Sequence, residues 1–197
     1  MARPTEFDRD AALDSALRLF WEQGYGATSL SQLLAVMQIS RSSFYAAFVD
    51  KRTLFLEVMA LFRRRTYAIF VESRERVGPA AAIPEFFRYT VLDVPGRRAG
   101  RGCLMVNTIL ELADVDKELS KAASAHLGTL ERAFASALSE AVHAGDLDCD
   151  MDTDSVARYL MVVNQGLRVA SREGRTRKEL ANLINTSSQL LGLPGAA

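Results

Sequence analysis

Hydrogen-bond donors suited to nucleic acid gather in residues 40–51, S-R-S-S-F-Y-A-A-F-V-D-K. Hydroxyl groups bind phosphates and base edges, and an arginine can make a bidentate contact to guanine. The side chains that we assign to such a surface are Ser40, Arg41, Ser42, Ser43, Tyr45 and Lys51. The stretch therefore carries the chemistry of contact with phosphates and bases. The serines could instead serve as helix caps in solvent, but three of them beside Arg41 on a short helix favour nucleic-acid contact.

Two phenylalanines divide the same stretch into an inner and an outer face. Phe44 and Phe48 are four residues apart, which places them on one side of a helix, and we expect both in the core. Tyr45 directly follows Phe44 and therefore points elsewhere. We interpret Tyr45 as a phosphate contact, with simple packing as the alternative.

Four helices are predicted around this stretch from apolar residues at helical spacing. The first carries a stripe from Ala12 to Phe20 and ends at Gly24. The third runs to about residue 47, and the long fourth ends before Gly78. The predicted N-caps are Thr28 for the second helix, Ser40 for the third and Asp50 for the fourth.

The remaining chain shows helical periodicity and no convincing alternation of apolar and polar residues. Further helices are predicted over residues 84–92, 103–113, 115–144, 153–172 and 176–191. We therefore predict an all-α protein of about nine helices. The change from short to long helices favours a division into residues 1–52 and residues 53–197, joined by the fourth helix.

The second and third helices, with residues 36–39 between them, have the dimensions of a helix-turn-helix. Backbone amides at Thr28 and at the start of the fourth helix, together with Lys51, could bind phosphates. Arg3, ahead of the first helix, could act as a basic arm along the duplex.

Composition sets limits on the function. Apolar residues make up 49% and charged residues 24% of the 197 residues, and the formal net charge is zero, so any anion-binding surface must be local. Two cysteines are too few for a disulfide framework and suit a reducing compartment. We see no signal peptide and no apolar run of about 18 residues, so we expect a cytoplasmic protein without a membrane span.

Residues 7–55 resemble the N-terminal domain of TetR-family repressors. The resemblance rests on F-D-R-D-A-A-L-D-S-A-L-R-L-F-W-E-Q-G-Y-G-A-T-S-L and on I-S-R-S-S-F-Y-A-A-F-V-D-K-R-T-L-F. It implies a homodimer that binds a palindromic operator in double-stranded DNA through the third helix. It also implies release when a small molecule enters the larger domain. Separately, we predict no cofactor. The DNA-facing residues would be Thr28, Ser40, Arg41, Ser42, Ser43, Tyr45 and Lys51.

One departure from the family pattern lies in the turn, where glycine usually follows a small residue. Here the pair is Met37-Gln38. If Gln38 adopts a left-handed conformation, the cost is roughly 1–2 kcal/mol.

The larger domain offers weaker signals for an effector site. Its candidates are Phe86, Tyr89, Cys103 and Asn107, which combine apolar walls with polar groups. The same residues would also fit a packed core. Cys103 follows R-A-G-R-G, where arginines and helix amides could lower the pKa of a thiol, but a small buried residue is the alternative.

The last two helices carry apolar stripes that suit a four-helix dimer interface. The candidate interface residues are Val156, Leu160, Val163, Leu167, Leu183 and Leu190. Some of these must face the core of the subunit instead.

Two other functions compete with DNA binding. An enzyme with Cys103 as nucleophile lacks an evident base, phosphate loop or metal cluster, so we predict no enzyme and no metal site. A helical adaptor would leave the polar surface of the third helix and Lys51 unexplained.

Overall fold

The computed structural model describes residues 7–93 and 101–195. Within those ranges the chain is helical without strands, which confirms the all-α prediction. A π-helical turn, Arg88–Leu92, directly follows the fifth helix. The helices are α1 Arg9–Gln23, α2 Leu30–Met37, α3 Arg41–Phe48, α4 Lys51–Val77, α5 Ala82–Phe87, α6 Leu104–Leu112, α7 Lys117–Ala144, α8 Thr153–Arg172 and α9 Arg177–Leu190.

The chain packs into two compact units. Unit 1 comprises Met1–Arg64 and Leu104–Ser124, and unit 2 comprises Arg65–Cys103 and Ala125–Ala197. Helices α4 and α7 each contribute residues to both. The predicted division at residue 52 used helix length alone, and it could not place α6 with the N-terminal helices, because that grouping depends on contacts between distant residues.

Helix α1 shows how local sequence produces the elements of unit 1. Its N-cap, Asp8, accepts hydrogen bonds from the amides of Asp10 and Ala11, both at 3.0 Å. At the other end, Gly24 has a φ of 85°, a conformation that glycine adopts without a steric penalty. The helix buries one apolar face of five residues: Ala12, Leu13, Ala16, Leu17 and Phe20.

The cap of α2 corrects a prediction. Thr28 is fully buried and its hydroxyl donates to the carbonyl of Gly24 at 2.6 Å, so it is not the N-cap. The N-cap is Ser29, whose side chain accepts from the amide of Gln32 while the Gln32 side chain accepts from the amide of Ser29. This reciprocal arrangement satisfies two backbone donors that would otherwise lack partners.

Unit 2 is built around a cluster of aromatic rings. Phe134 of α7 lies with its ring centroid 5.2 Å from that of Phe70, 5.7 Å from that of Phe86 and 6.0 Å from that of Phe87. Aromatic pairs at such separations add to the energy of apolar burial. Helices α8 and α9 contribute Leu160, Leu167, Leu180 and Ile184 to the same core.

Among the described residues, none of the helices is both long enough and apolar enough to span a bilayer.

Candidate nucleic-acid interface

The outer face of α3 is polar and exposed because its inner face is anchored. Phe44 and Phe48 are fully buried, as predicted, and their rings are 5.8 Å apart. Burying a phenylalanine side chain contributes about 1.5–3 kcal/mol, so two of them fix the rotation of this short helix. Arg41 and Ser42 are therefore exposed, and Tyr45 is 48% exposed.

Three serines form one hydroxyl cluster at the start of α3. The Ser40 hydroxyl lies 2.8 Å from that of Ser42 and 2.9 Å from that of Ser43, and it accepts from the Ser43 amide at 3.1 Å. Ser40 is the N-cap, as predicted. An exposed helix N-terminus with rotatable hydroxyls is suited to phosphate or base-edge contacts.

The turn before α3 has the strained geometry that its sequence implies. Gln38 is left-handed, with φ 55° and ψ 40°, and its amide donates to carbonyls near the end of α2. The cost of roughly 1–2 kcal/mol for an L-residue in this conformation therefore applies. Val49, which follows α3, also has a positive φ of 62°, and the sequence contains no signal for that conformation.

Lys51 lies at the start of α4, next to the loop that follows α1. Asp50 caps this helix, as predicted, by accepting from the Thr53 amide at 2.6 Å. The Lys51 ammonium lies 4.4 Å from the centroid of the Tyr25 ring, a cation–π contact. Burial lowers the pKa of Lys51, and the negative charge of Glu111 acts in the opposite direction.

Glu111, on α6, is a site residue that the sequence analysis missed. Its carboxylate accepts from the amide of Tyr25 at 2.9 Å and from the amide of Gly26 at 2.6 Å. A side chain added at Gly24 would approach one of its oxygens to 2.7 Å. No local motif could reveal these contacts, because about 85 residues separate the partners.

A second contact joins the start of α4 to the segment between α6 and α7. Arg52 donates from Nε to Asp116 at 3.1 Å. The hydrogen bond from Arg52 is the main cause that lowers the pKa of Asp116, with amide donors of α7 as further causes. Together, Glu111 and this pair hold the C-terminal end of α6 and the segment after it against the loop that follows α1 and the start of α4.

The other predicted DNA contacts are placed differently. Arg3 lies outside the described residues. The Thr28 side chain is buried, so its hydroxyl is not on the surface that would meet a duplex, and Ser29 is exposed in its place.

Comparison with known families decides between the possible functions of this surface. Residues 12–58 match the bacterial regulatory proteins of the tetR family, and residues 83–188 match the tetracyclin repressor-like C-terminal domain. The chain belongs to the TetR family. It is a DNA-binding transcriptional regulator, which confirms the function predicted from the helix-turn-helix.

Relatives of similar length support this membership over the whole chain. The HTH-type transcriptional repressor ComR of Escherichia coli is 28% identical over 95% of this chain and 90% of its own length. The regulator YezE of Bacillus subtilis is 33% identical over 97% of this chain and 100% of its own length.

A solved TetR-family structure has the same fold. A cysteine mutant of the regulator CifR, in complex with a 26-base-pair double-stranded operator, is 29% identical to this chain. It aligns with a TM-score of 0.88 over 98% of this chain and 100% of its own.

In this TetR-family chain the predicted effector residues do not form one site within a unit. Phe86 is fully buried in the aromatic core of unit 2, which is the packed-core alternative. Cys103 is buried in unit 2, whereas Asn107 is half-buried and belongs to unit 1. Tyr89 borders a small pocket of unit 2 that is also lined by Ile69, Glu72, Ser73 and Arg76.

The predicted dimer residues divide between core and surface. Leu160 and Leu167 are buried in the core of unit 2, so their assignment to an interface is wrong, because a helical stripe alone does not show which partner covers it. Val156 and Val163 are half-buried, and Leu183 and Leu190 are exposed. The exposed apolar residues of α8 are instead Tyr159, Val162 and Val169.

Proposed function

We propose that this TetR-family protein is a homodimeric repressor that binds a palindromic operator and leaves it when a small molecule binds to unit 2. The observation that carries the proposal is the exposed polar face of α3, oriented by the buried Phe44 and Phe48. The operator complex of the CifR mutant and the repressor name of ComR support it.

Recognition depends on the N-terminal half of α3. In a helix-turn-helix, this part of the second helix enters the major groove. Arg41 would bind a guanine edge, and the serine cluster would bind phosphates or base edges. Lys51 and the Ser29 cap would bind the phosphate backbone of DNA. Since they lie on either side of α3 in the sequence, these contacts would set the position of α3 in the groove.

Dimerisation would use α8 and α9. Tyr159, Val162 and Val169 recur at spacings of three and seven residues, so they share one exposed side of α8. Leu183 and Leu190 form a similar exposed pair, seven residues apart, on α9. Two copies of α8 and α9 could bury these exposed apolar residues as a four-helix interface.

The effector would act on DNA binding through α6. Cys103 belongs to unit 2, and the next residue, Leu104, begins α6 in unit 1. At its other end, α6 is held by the contact of Glu111 with the loop that follows α1, and the segment after α6 is held by the contact of Asp116 with Arg52 of α4. A ligand that favours a different position of Cys103 would displace α6 and, through these contacts, change the spacing of the two α3 helices in the dimer.

The same proposal places the protein in the bacterial cytoplasm, where its DNA lies, and assigns it no enzymatic activity and no cofactor. Its relatives are transcriptional regulators. DNA binding accounts for the hydroxyl and guanidinium groups of α3, so no catalytic role is assigned to them.

Fluorescence anisotropy with the full-length protein tests the proposal. The labelled DNA is the fragment upstream of the protein's own gene, and the control is the same fragment with its sequence shuffled. We expect the upstream fragment to bind about a thousandfold more tightly at physiological salt, with affinity that falls steeply as salt rises. Equal affinity for the two fragments would contradict the proposal.

A further inference from the structure

Arg168, on α8, carries a charge that no acidic side chain of the described residues neutralises. The residue is only 8% exposed, and its Nε has no hydrogen-bond partner. Burial lowers the pKa of Arg168, and within the described part of the chain Cys103 is the ionisable group that opposes this effect. An unpaired buried charge is strongly destabilising, so a folded protein retains one only where something compensates for it.

Asn164 presents a second unpartnered group beside it. The residue is 3% exposed, and its side-chain Oδ1 has no hydrogen-bond partner. It lies one helical turn before Arg168, so both side chains project from the same buried face of α8. The rest of that face is apolar: Ala157, Leu160, Met161 and Leu167.

Cys103 does not remove the need for a partner. The thiol form of a cysteine is neutral and only a weak hydrogen-bond donor, so in that form it would not compensate for a guanidinium charge. A water molecule could satisfy the Nε–H and the Oδ1, but it would not neutralise the charge either. An anion would both accept from the Arg168 guanidinium and compensate for its charge.

We propose that Arg168 and Asn164 bind an organic carboxylate that also carries a hydroxyl group, and that this molecule is the effector. The inference rests on the proposed function, because it names the chemical class of the ligand that releases the operator.

The two polar groups define that class. A carboxylate accepts paired hydrogen bonds from a guanidinium, which are among the strongest in proteins. Asn164 Oδ1 is an acceptor, so the second group of the ligand must be a donor. A hydroxyl suits it better than an ammonium, which the charge of Arg168 would repel. The carbon skeleton of the ligand would pack against the apolar core residues of the same face of α8.

Calorimetry with the full-length protein tests the proposal, with 3-hydroxybenzoate and 3-hydroxyoctanoate as an aromatic and an aliphatic probe. Benzoate lacks the hydroxyl, and phenol lacks the carboxylate. We expect at least one hydroxyacid probe to bind, to raise the melting temperature and to weaken operator binding. We expect the analogue of the effective probe that lacks the hydroxyl to bind about tenfold more weakly than the probe itself.

Three variants identify the site. Arg168→Met should weaken binding of the effective probe by about tenfold or more, because it removes the charged donor. Arg172→Met changes an exposed arginine of the same helix and should leave binding unchanged. Asn164→Leu should make the hydroxyacid and its hydroxyl-free analogue bind equally.

The unliganded stability of Arg168→Met provides an independent readout. A methionine in place of an uncompensated buried charge should leave the melting temperature unchanged or higher. The proposal is overturned if neither hydroxyacid binds, if Arg168→Met binds as well as wild type, or if that variant melts far below wild type without ligand. Failure of wild type to bind its operator would instead contradict the proposed function. Calorimetry would still measure binding of the probes, so the two proposals can fail separately.

Discussion

Glu111 accepts a hydrogen bond from the backbone amide of Tyr25 at 2.9 Å, although 86 residues separate the two in the sequence. The same carboxylate accepts from Gly26 at 2.6 Å, and its charge also acts on Lys51. One side chain of α6 therefore holds the loop that follows α1 close to the lysine at the start of α4.

Replacing Glu111 tests this contact. Glu111→Ala should lower the free energy of unfolding by about 1 kcal/mol, because two amides lose a charged acceptor. It should also weaken operator binding, since the loop and Lys51 lose a common anchor. Urea unfolding and anisotropy measure the two effects. Glu118→Ala, at an exposed pair with Lys121, is the matched control and should change neither value appreciably. If Glu111→Ala and Glu118→Ala had the same free energy of unfolding and the same operator affinity, the Glu111 contact would contribute to neither.

The Arg52–Asp116 pair predicts a pH dependence of stability. The folded state holds the pKa of Asp116 below its ordinary value of 3.8, mainly through the hydrogen bond from Arg52. Because the folded pKa is lowered, the stabilisation is complete above that ordinary value and is lost as pH falls through the folded pKa. Asp116→Asn should thus be less stable than wild type at neutral pH, and this difference should shrink below about pH 4.

The measurement for this pair is urea unfolding of both proteins over a series of pH values. Asparagine can still cap α7, so the comparison isolates the charge of Asp116. The control is Asp114→Asn, at an exposed position. Its difference in stability from wild type should not change with pH in this way. A difference that stays constant from neutral to acidic pH would refute an ionic contribution.

The left-handed conformation of Gln38 predicts a difference in stability between two small residues at this position. Gln38→Gly should be more stable than Gln38→Ala by about 1 kcal/mol, because glycine adopts a positive φ without steric penalty. Both changes remove the same side chain, so the pair of variants isolates the backbone effect. Thermal unfolding provides the comparison. If alanine were as stable as glycine, the turn would not be left-handed in solution.

Local signals were sufficient to predict the helix-turn-helix. The burial of Phe44 and Phe48 followed from their spacing, and Ser40 and Asp50 cap the helices to which they were assigned. The cap at Thr28 was wrong by one residue. Ser29 and Gln32 form the reciprocal pattern of a capping box, which was present in the sequence and would have distinguished Ser29 from its neighbour.

Long-range contacts could not be predicted in this way. Glu111 and Arg168 owe their environments to residues far away along the chain, and neither lies in a motif. Leu160 and Leu167 were assigned to an interface because a stripe at helical spacing has the same appearance whether a core or a second subunit covers it.

The exposed side of α8 predicts a change in assembly. Val162 is 66% exposed, and Val162→Glu should convert the proposed dimer into a monomer, because a carboxylate buried in an apolar interface is strongly unfavourable. Helical content should be unchanged. Val115→Glu, at a valine of unit 1 that is 79% exposed, should remain dimeric. Sedimentation velocity and circular dichroism measure both properties, and a dimeric Val162→Glu would place the interface elsewhere.

The central claim is that α3 reads base sequence through Arg41 while Lys51 binds the backbone. The most direct measurement is the ratio of the affinities for the operator and for shuffled DNA, determined by anisotropy for wild type, Arg41→Ala and Lys51→Ala at one salt concentration. We predict that Arg41→Ala lowers this ratio by about tenfold or more, because a bidentate guanine contact carries about 1–3 kcal/mol of discrimination. Lys51→Ala should weaken both complexes alike and leave the ratio unchanged. An unchanged ratio for Arg41→Ala would contradict the claim.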